Sequence, residues 1–437
     1  MFTFLLADAV AAPNPARHEK PTAAWQTVIL KRTDAPATAP PGDPPPPAFS
    51  GTEFPALREV DGQVLLRNQG RDVWVSRSDV MTPREAVAYY TEQVAAQPQS
   101  TAYYTRRAKS YELLSDWDAA IKDYDELIRL SPQQSAYWNN RANYYSRKRD
   151  YDSALAGYNE AIKLSPTSHI PRGNRGNTFI NLREWDKAIE SYDDALKVNP
   201  SYGRAYAGRS AAWREKRQYA KALVDAERGV ELDATSPHTY LARGLAHAAL
   251  NDHDRALADL DESLRFDPLF AASYHGRAGV HLARKAYQSA IRDLDAAMRL
   301  SPKYAAAMAK RAEVWVACGN PQRALADLDE AIAADPKYGP AHRQKAWLLA
   351  THPDNSVRDG KAAVAAAKAA LELMTGAGGE IWETLAAAQA EAGDFNEAIR
   401  WQTKAATDTD YLKDAGVGVK KRLELYEATK PYRESAP

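Results

Sequence analysis

The sequence predicts a mainly helical protein: a solenoid of antiparallel helix pairs with a 34-residue period, preceded by a small all-β barrel. Three observations carry this expectation. Prolines fall at 98, 132, 166, 200, 268, 302 and 336, a spacing of 34 or of twice 34 where Ala234 takes the expected place. Ala86, Ala120, Ala154, Ala188, Ala222, Ala256, Ala290 and Ala324 keep the same spacing without a gap, and each is followed by Val, Ile or Leu. The front of the chain lacks this period and carries short runs of β-formers punctuated by Gly and Pro. A fixed period of this length marks a stacked architecture, in which each unit buries its apolar face only against its neighbours.

At the front, Trp25 to Lys31, Phe54 to Val60, Gln63 to Asn68 and Asp72 to Ser76 are candidate strands. Asp61-Gly62 and Gln69-Gly70 separate the last three, and Asp-Gly between apolar runs is a strong hairpin signal. The loop 35–49 holds Pro36, Pro40, Pro41 and Pro44 to Pro47, so it can be neither helix nor central strand. Short strands with one long loop resemble a bacterial SH3-like barrel, and Asp72-Val73-Trp74-Val75-Ser76 is similar to that family's closing strand. A helix from Pro83 to Gln97 follows, in phase with the repeats through Ala86, Tyr90 and Pro98. The barrel is therefore expected to pack on this half repeat and cap the array.

Within one repeat, Tyr104, Ala108 and Tyr111 place an aromatic, a small residue and an aromatic on one helix face. Ala120 and Tyr124 lie one turn apart on a second helix, after a short connection Leu114-Ser115-Asp116-Trp117 with a capping-type Ser or Asp. Small residues recur at the eighth place (Ala108, Ala142, Gly176, Ser210, Gly244, Ala278, Ala312) and let the paired helices approach. Pro132 and its equivalents stop the second helix. This pattern resembles the tetratricopeptide repeat over about residues 82 to 412. The resemblance implies a right-handed superhelical solenoid of a half repeat plus about nine units.

One departure from that family stands out. Its seventh place, usually Leu, is here Arg107, Arg141, Arg175, Arg209, Arg243, Arg277 and Arg311. In five of these repeats the twenty-third place is an aspartate, namely Asp123, Asp225, Asp259, Asp293 and Asp327. In an antiparallel hairpin the seventh and twenty-third places face each other. We read five ion pairs that clasp each hairpin, in preference to a charged ligand ladder. An exposed pair contributes ~0–1 kcal/mol, more if desolvated and bidentate.

The eighth unit slips out of phase at Ala350-Thr351-His352-Pro353-Asp354, and an alanine-rich helix from about Gly360 to Met374 restores it. A link from Gly376 to Gly379 leads to a ninth unit with Trp382, Ala386, Ala398 and Ala405, then to a last helix over about Gly418 to Thr429. The segment Leu348 to Asp359 resembles the closing part of planctomycete-type bacterial repeat proteins. The expected domains are thus 1–23, disordered or the remnant of a signal peptide; the barrel 24–80; the array 81–412; and a capping helix and tail 413–437.

Bulk composition narrows the function. Lys+Arg and Asp+Glu are balanced at 57 each, so no net field favours nucleic acid or an anionic membrane. The 23 Tyr and 10 Trp against 8 Phe suit half-buried sites in thin stacked layers. The single cysteine, Cys318, rules out an internal disulfide and argues against a Cys-based zinc site. No apolar run is long enough to form a membrane-spanning helix. Met1 to Ala12 ends in small residues like a signal peptide, but its apolar core is short and no basic residue precedes it, so exported and cytoplasmic locations are equally compatible.

No phosphate-binding Gly loop, HExxH, GxSxG or CxxC motif is present. His247 and His281 share one repeat place, with His253 and His275 near them in sequence, and stacked histidines can bind a metal. That place otherwise holds Tyr111, Tyr145, Phe179, Trp213 and Trp315, so His reads as a substitute packing ring. Neither metal, cofactor nor catalysis is expected, and a small-molecule ligand is not expected either.

The resemblance implies that the first helices line a concave groove with places two, five, six, nine and twelve pointing inward. Those places and their neighbours supply Arg106, Lys109, Asn139, Asn140, Asn143, Arg147, Asn174, Asn177 and Asn181. Asn140 and Asn174, one period apart, are expected to stack as a short amide ladder. Amides can grip an extended backbone without reading its sequence, and the basic neighbours favour an acidic partner. The competing reading is that these Asn residues cap and hydrate helix surfaces. Later repeats offer Leu241, Leu245, Ala248, Gly276, Gly279, Leu282 and Ala283, a small and apolar lining that can seat hydrophobic side chains or let the superhelix coil tightly. The leading function is a non-enzymatic protein–protein interaction scaffold that binds an extended peptide or partner protein. The alternatives are a cell-envelope adaptor whose barrel binds peptidoglycan or wall polymer, and a regulatory subunit of a separate enzyme.

Overall fold

The structure, a computed structural model, describes residues 28–30, 37–38, 53–54, 56–60, 62–68, 71–374 and 378–434. The signal-like segment at 1–12 and most of the proline-rich loop lie outside these residues. The chain divides into two compact units, Met1–Pro166 and Thr167–Pro437, each described by itself.

The first unit opens with β1 (Val28–Leu30), β2 (Ala37–Thr38), β3 (Glu53–Phe54), β4 (Ala56–Val60), β5 (Gln63–Asn68), β6 (Arg71–Ser76) and β7 (Val80–Met81), with a 3-10 turn at Arg77–Asp79. Two antiparallel sheets form, in the orders β3-β1-β7 and β2-β6-β5-β4. Val60 pairs with Gln63 across a two-residue turn, and Gly62 supplies the positive φ (73°) that such a turn needs. Val28, Leu30, Val64, Leu66, Val73, Val75 and Val80 form one buried cluster, the alternate residues of their strands. Strand β2 sits at the edge of the second sheet, beside β6.

The arrangement is compatible with the SH3-like resemblance, with one correction. Arg71–Ser76 is an inner strand flanked by β5 and β2, and the closing strand is Val80–Met81, paired with β1 at Ile29↔Met81 and Leu30↔Val80. Ser76 accepts from the Ser78 amide and starts the 3-10 turn, so the chain leaves β6 and returns as two strand residues, too few to show a period of two.

Helix α1 (Pro83–Ala96) follows at once, with a capping box in which Thr82 and Glu85 bond each other's amides. Ile29 and Met81 of the sheet pack with Ala86 and Tyr90 of this helix. Two helix pairs complete the unit: α2 (Thr101–Leu113) with α3 (Trp117–Leu130), and α4 (Ser135–Arg147) with α5 (Tyr151–Leu164).

The second unit continues with α6 (Ile170–Asn181) and α7 (Trp185–Val198), α8 (Gly203–Glu215) and α9 (Tyr219–Leu232), and α10 (Pro237–Ala249) and α11 (His253–Phe266). Then come α12 (Ala271–Ala283) and α13 (Tyr287–Leu300), α14 (Ala305–Ala317) and α15 (Pro321–Ala334), α16 (Gly339–Thr351) and α17 (Gly360–Leu373), and α18 (Gly378–Glu391) and α19 (Phe395–Ala405). Last is α20 (Thr409–Glu427). This final helix starts well before Gly418, because burial of Val419 and Tyr426 outweighs the low helix propensity of Gly416 and Gly418.

The small-residue ladders explain the pairing. All eight alanines from Ala86 to Ala324 have 0% exposure. A Cβ on Gly176 would sit 2.7 Å from the Tyr192 ring, and one on Gly244 would sit 2.9 Å from Leu260 Cγ and 3.1 Å from the Ala256 carbonyl. Side chains at these places would collide, so the paired backbones are close because the residues are small.

The turns show a feature that composition hides. Ser115, Arg149, Arg183, Arg217, Asn251 and Lys285, all at the fifteenth place, adopt left-handed φ values of 57° to 62°, and Gly319 has 68°. Next in the chain, Asp116, Asp150, Asp252 and Asn320 accept from the third amide of the following helix. The left-handed residue closes one helix and turns the chain, and the cap starts the next.

Candidate functional site

The seventh-place arginines meet their expected partners. Arg107, Arg209, Arg243, Arg277 and Arg311 each donate through Nε and Nη2 to both oxygens of Asp123, Asp225, Asp259, Asp293 and Asp327, at 2.6–3.2 Å. The five carboxylates are buried, between 2% and 6% exposed. Burial pushes the Asp123 carboxyl above the ordinary carboxylate value, against the pull of Arg107, whose own value the pair raises. For the carboxylate, burial outweighs the pull of its partner, so the pair is costly to desolvate and fixes geometry more than it adds stability.

Sequence reasoning missed a second set of carboxylates. Arg141, Arg209, Arg277 and Arg311 use Nη1 to reach Asp125, Asp193, Asp261 and Asp295 of the preceding repeat at 2.5–2.7 Å, and Lys345 reaches Asp329 at 2.5 Å. Each such cation ties two consecutive repeats. The signal was present, because each of these carboxylates holds the same place in its own repeat, at one fixed offset before its cation. Arg175 has Ser191 and Asp194 as partners instead. His247 and His281 stand 3.8 and 3.7 Å from Asp259 and Asp293. Among the described residues no group of three or more His, Cys, Asp or Glu is placed to hold a metal ion.

The groove residues of the first unit are largely occupied by intramolecular work. Lys109 and Arg147 both reach Glu112, at 2.9 and 3.7 Å, and Arg147 also lies over the Trp117 ring. Arg106 is exposed and faces the Tyr90 hydroxyl. Asn140 donates to the Tyr124 hydroxyl at 3.2 Å, and the Tyr158 hydroxyl donates to Asn143 at 2.8 Å. Asn139 is a correction: it is buried and donates to Asn140 at 3.0 Å, so it positions that amide and offers no open face. Asn140 and Asn174 belong to different units.

In the second unit, α6, α8 and α10 line a cavity of about 310 Å³. It gathers the expected Asn174, Asn177, Leu241 and Leu245, but not Asn181, which is exposed elsewhere on α6. It adds Tyr192 and Tyr202, which lie at other repeat places, and Arg204, Arg214 and His238, which hold inward places two and twelve of the fourth repeat and two of the fifth but which sequence reasoning did not single out. The Tyr192 hydroxyl donates to Asn177 at 2.6 Å, and its ring fills the space that a Cβ on Gly208 would need. Two arginines and one histidine line the cavity with no carboxylate among them. Arg204 is exposed, and no carboxylate pairs with it among the described residues. Burial, then the charge of Arg204, push His238 below the ordinary imidazole value, so it is neutral at pH 7. The result is an apolar floor of Leu241 and Leu245, amide donors and acceptors at one side, and guanidinium groups at the rim.

Helix pairs of nearly constant length, stacked in register and lined by an open groove of this kind, define a helical-repeat scaffold. The tetratricopeptide repeat family matches residues 83–135, 105–169, 174–237, 241–305 and 287–339, more than half of the chain, and the chain belongs to that family. As a member it is a scaffold for protein–protein interaction, and none of its described helices is long and apolar enough to cross a membrane. Among curated proteins none is similar to it in sequence. Among solved structures it is similar to a tetratricopeptide repeat protein from Parabacteroides merdae, at 20% identity over 54% of this chain and 94% of that one, with a TM-score of 0.43. It is also similar to yeast Tom70, at 16% identity over 79% and 85%, TM-score 0.48. A third similar structure is a thermophilic repeat protein from Thermus thermophilus, at 20% identity over 40% and 96%, TM-score 0.39.

Proposed function

We propose that the groove of α6, α8 and α10 holds an extended polypeptide segment carrying acidic and apolar side chains. The observation that carries this reading is the meeting of Arg204, paired with no carboxylate among the described residues, with Asn174, Asn177, Leu241 and Leu245 around one cavity. Amides at this spacing can bond an extended main chain, the leucines can seat an apolar side chain, and Arg204 can pair with a carboxylate, whereas Arg214 already bonds Glu215 at 3.2 Å. Binding of this kind is weakened by salt, because Arg204 is solvent-exposed.

A peptide-display selection on the full chain tests it. Enriched peptides should combine acidic and apolar residues, and Arg204→Glu should weaken the best of them by about tenfold or more, a loss of at least ~1.4 kcal/mol. Helicity should be unchanged. Enrichment of basic peptides, or equal affinity for the charge-reversed chain, would sink the assignment.

A further inference from the structure

A second stretch of the same unit already holds a peptide: its own tail. After α20 the chain reverses at Thr429, whose φ is 54°, and the Lys430 amide bonds the Leu425 carbonyl. Pro431 to Glu434 then run without helix or strand against α16 and α18. The grip uses both main chain and side chains. The Glu434 amide donates to the Thr351 carbonyl at 2.9 Å, and Trp347 Nε1 donates to Glu434 Oε1 at 2.7 Å. Arg433 pairs with Glu391 at 2.5 Å and donates to the Ala350 carbonyl at 3.3 Å. The Tyr432 ring lies 6.1 Å from that of Trp347, with the Arg422 guanidinium 5.0 Å from Tyr432 and 5.9 Å from Trp347.

The same surface has further polar groups to offer. Beside Glu434 opens a cavity of about 280 Å³, lined by Glu313, Val316, Arg343, Gln344 and Trp347. Gln344 Nε2 donates to Glu313 at 2.7 Å, but Gln344 Oε1 and Arg343 Nε are buried there without a hydrogen-bond partner. The carboxylate nearest to that Nε, on Glu380, stands 3.8 Å away, beyond hydrogen-bond reach. A buried acceptor and a buried donor left unmet are what a longer extended segment would satisfy.

We propose that Pro431–Glu434 is the resident occupant of a second peptide site, formed by α14, α16 and α18, and that this site takes in trans an extended segment presenting an aromatic ring, a guanidinium and a carboxylate at three successive residues. The tail is a competitor held in place by its tether: a few half-buried contacts suffice when the effective concentration is about millimolar, and a free segment with more contacts displaces it. This site is distinct from the α6–α8–α10 groove, so Arg204→Glu leaves it intact and the two assignments fail separately.

The test compares the full chain with a full-length Tyr432→Ala, Arg433→Ala, Glu434→Ala variant. The probe is a fluorescein-labelled synthetic peptide with the sequence of residues 430–437. The variant should bind the probe saturably and at least about tenfold more tightly than the parent does. Binding should be lost when the probe carries Glu434→Ala or when the variant also carries Trp347→Ala. Equal binding to parent and variant, or none to a variant of native helicity, would overturn the proposal. So would loss of cooperative melting in the variant, because the tail would then be a necessary part of the fold.

Discussion

Ala256 shows how much a single methyl-sized residue decides. It has no exposed surface, and its carbonyl lies under Gly244 of the paired helix. Ala256→Leu should overpack this contact and cost ~1–3 kcal/mol, read as a lowered midpoint in denaturant; an unchanged midpoint would mean that the register is wrong. Asp293 makes a different point. Removing it as Asp293→Ala leaves the partly buried Arg277 with only Asp261, so we expect a loss of ~1–3 kcal/mol, whereas the double change Asp293→Ala, Arg277→Met should recover part of it. His275 is a third case. Burial first and the charge of Lys310 second push its imidazole down to about 4, a hydrogen bond with the Ala306 backbone opposing them. A folded value below the unfolded one means that the fold prefers neutral His275. The benefit is full above about pH 6.5 and is lost as pH falls from there toward 4. Between pH 7 and 5 the parent should lose roughly 1–2 kcal/mol more than His275→Phe, which keeps a ring against Tyr304; parallel pH profiles would exclude this histidine as the cause.

At the scale of the element, the helix starts and stops of the regular repeats were legible because their chemistry is local, whereas the start of α20 was not. The Thr82–Glu85 capping box needs only residues three apart, and Thr82→Ala should destabilise α1 by ~1 kcal/mol, seen as faster amide exchange in its first turn. The left-handed turns were not legible in Ser115, Arg149, Arg183, Arg217 and Lys285, since none of these residue types asks for a positive φ. Packing of each helix pair imposes it. Lys285→Gly removes the side-chain clash of that conformation and should raise stability by a few tenths to ~1 kcal/mol; destabilisation would show that the lysine has a compensating contact. The two-residue strand Val80–Met81 escaped for a related reason. Its pairing with β1 is a long-range event, and two residues carry no period.

At the scale of the molecule, stability in a stacked array is a sum of near-neighbour terms, and the ends fray first. Within Thr167–Pro437, native-state hydrogen exchange should show the strongest protection in α9 to α15, decreasing toward α19 and α20. Uniform protection would mean that the unit unfolds as one cooperative body.

The 34-residue period, the two small-residue ladders and the caps were set by the sequence alone, since each is a rule about residues within one turn or one repeat. Period and residue size dictate which faces must meet, whatever the rest of the chain does. Only the tertiary structure decided which polar groups kept bonding capacity for a ligand. Asn143 and Asn177 were legible as inward amides, but whether they face a ligand or a tyrosine hydroxyl depends on Tyr158 and Tyr192, 15 residues away on the paired helix. Arg204 holds the inward second place of its repeat, but it stands out only because no described carboxylate pairs with it, while Lys109 and Arg147 share one glutamate. Burial follows from local pattern, whereas an unmet hydrogen bond or charge is a property of everything packed around it.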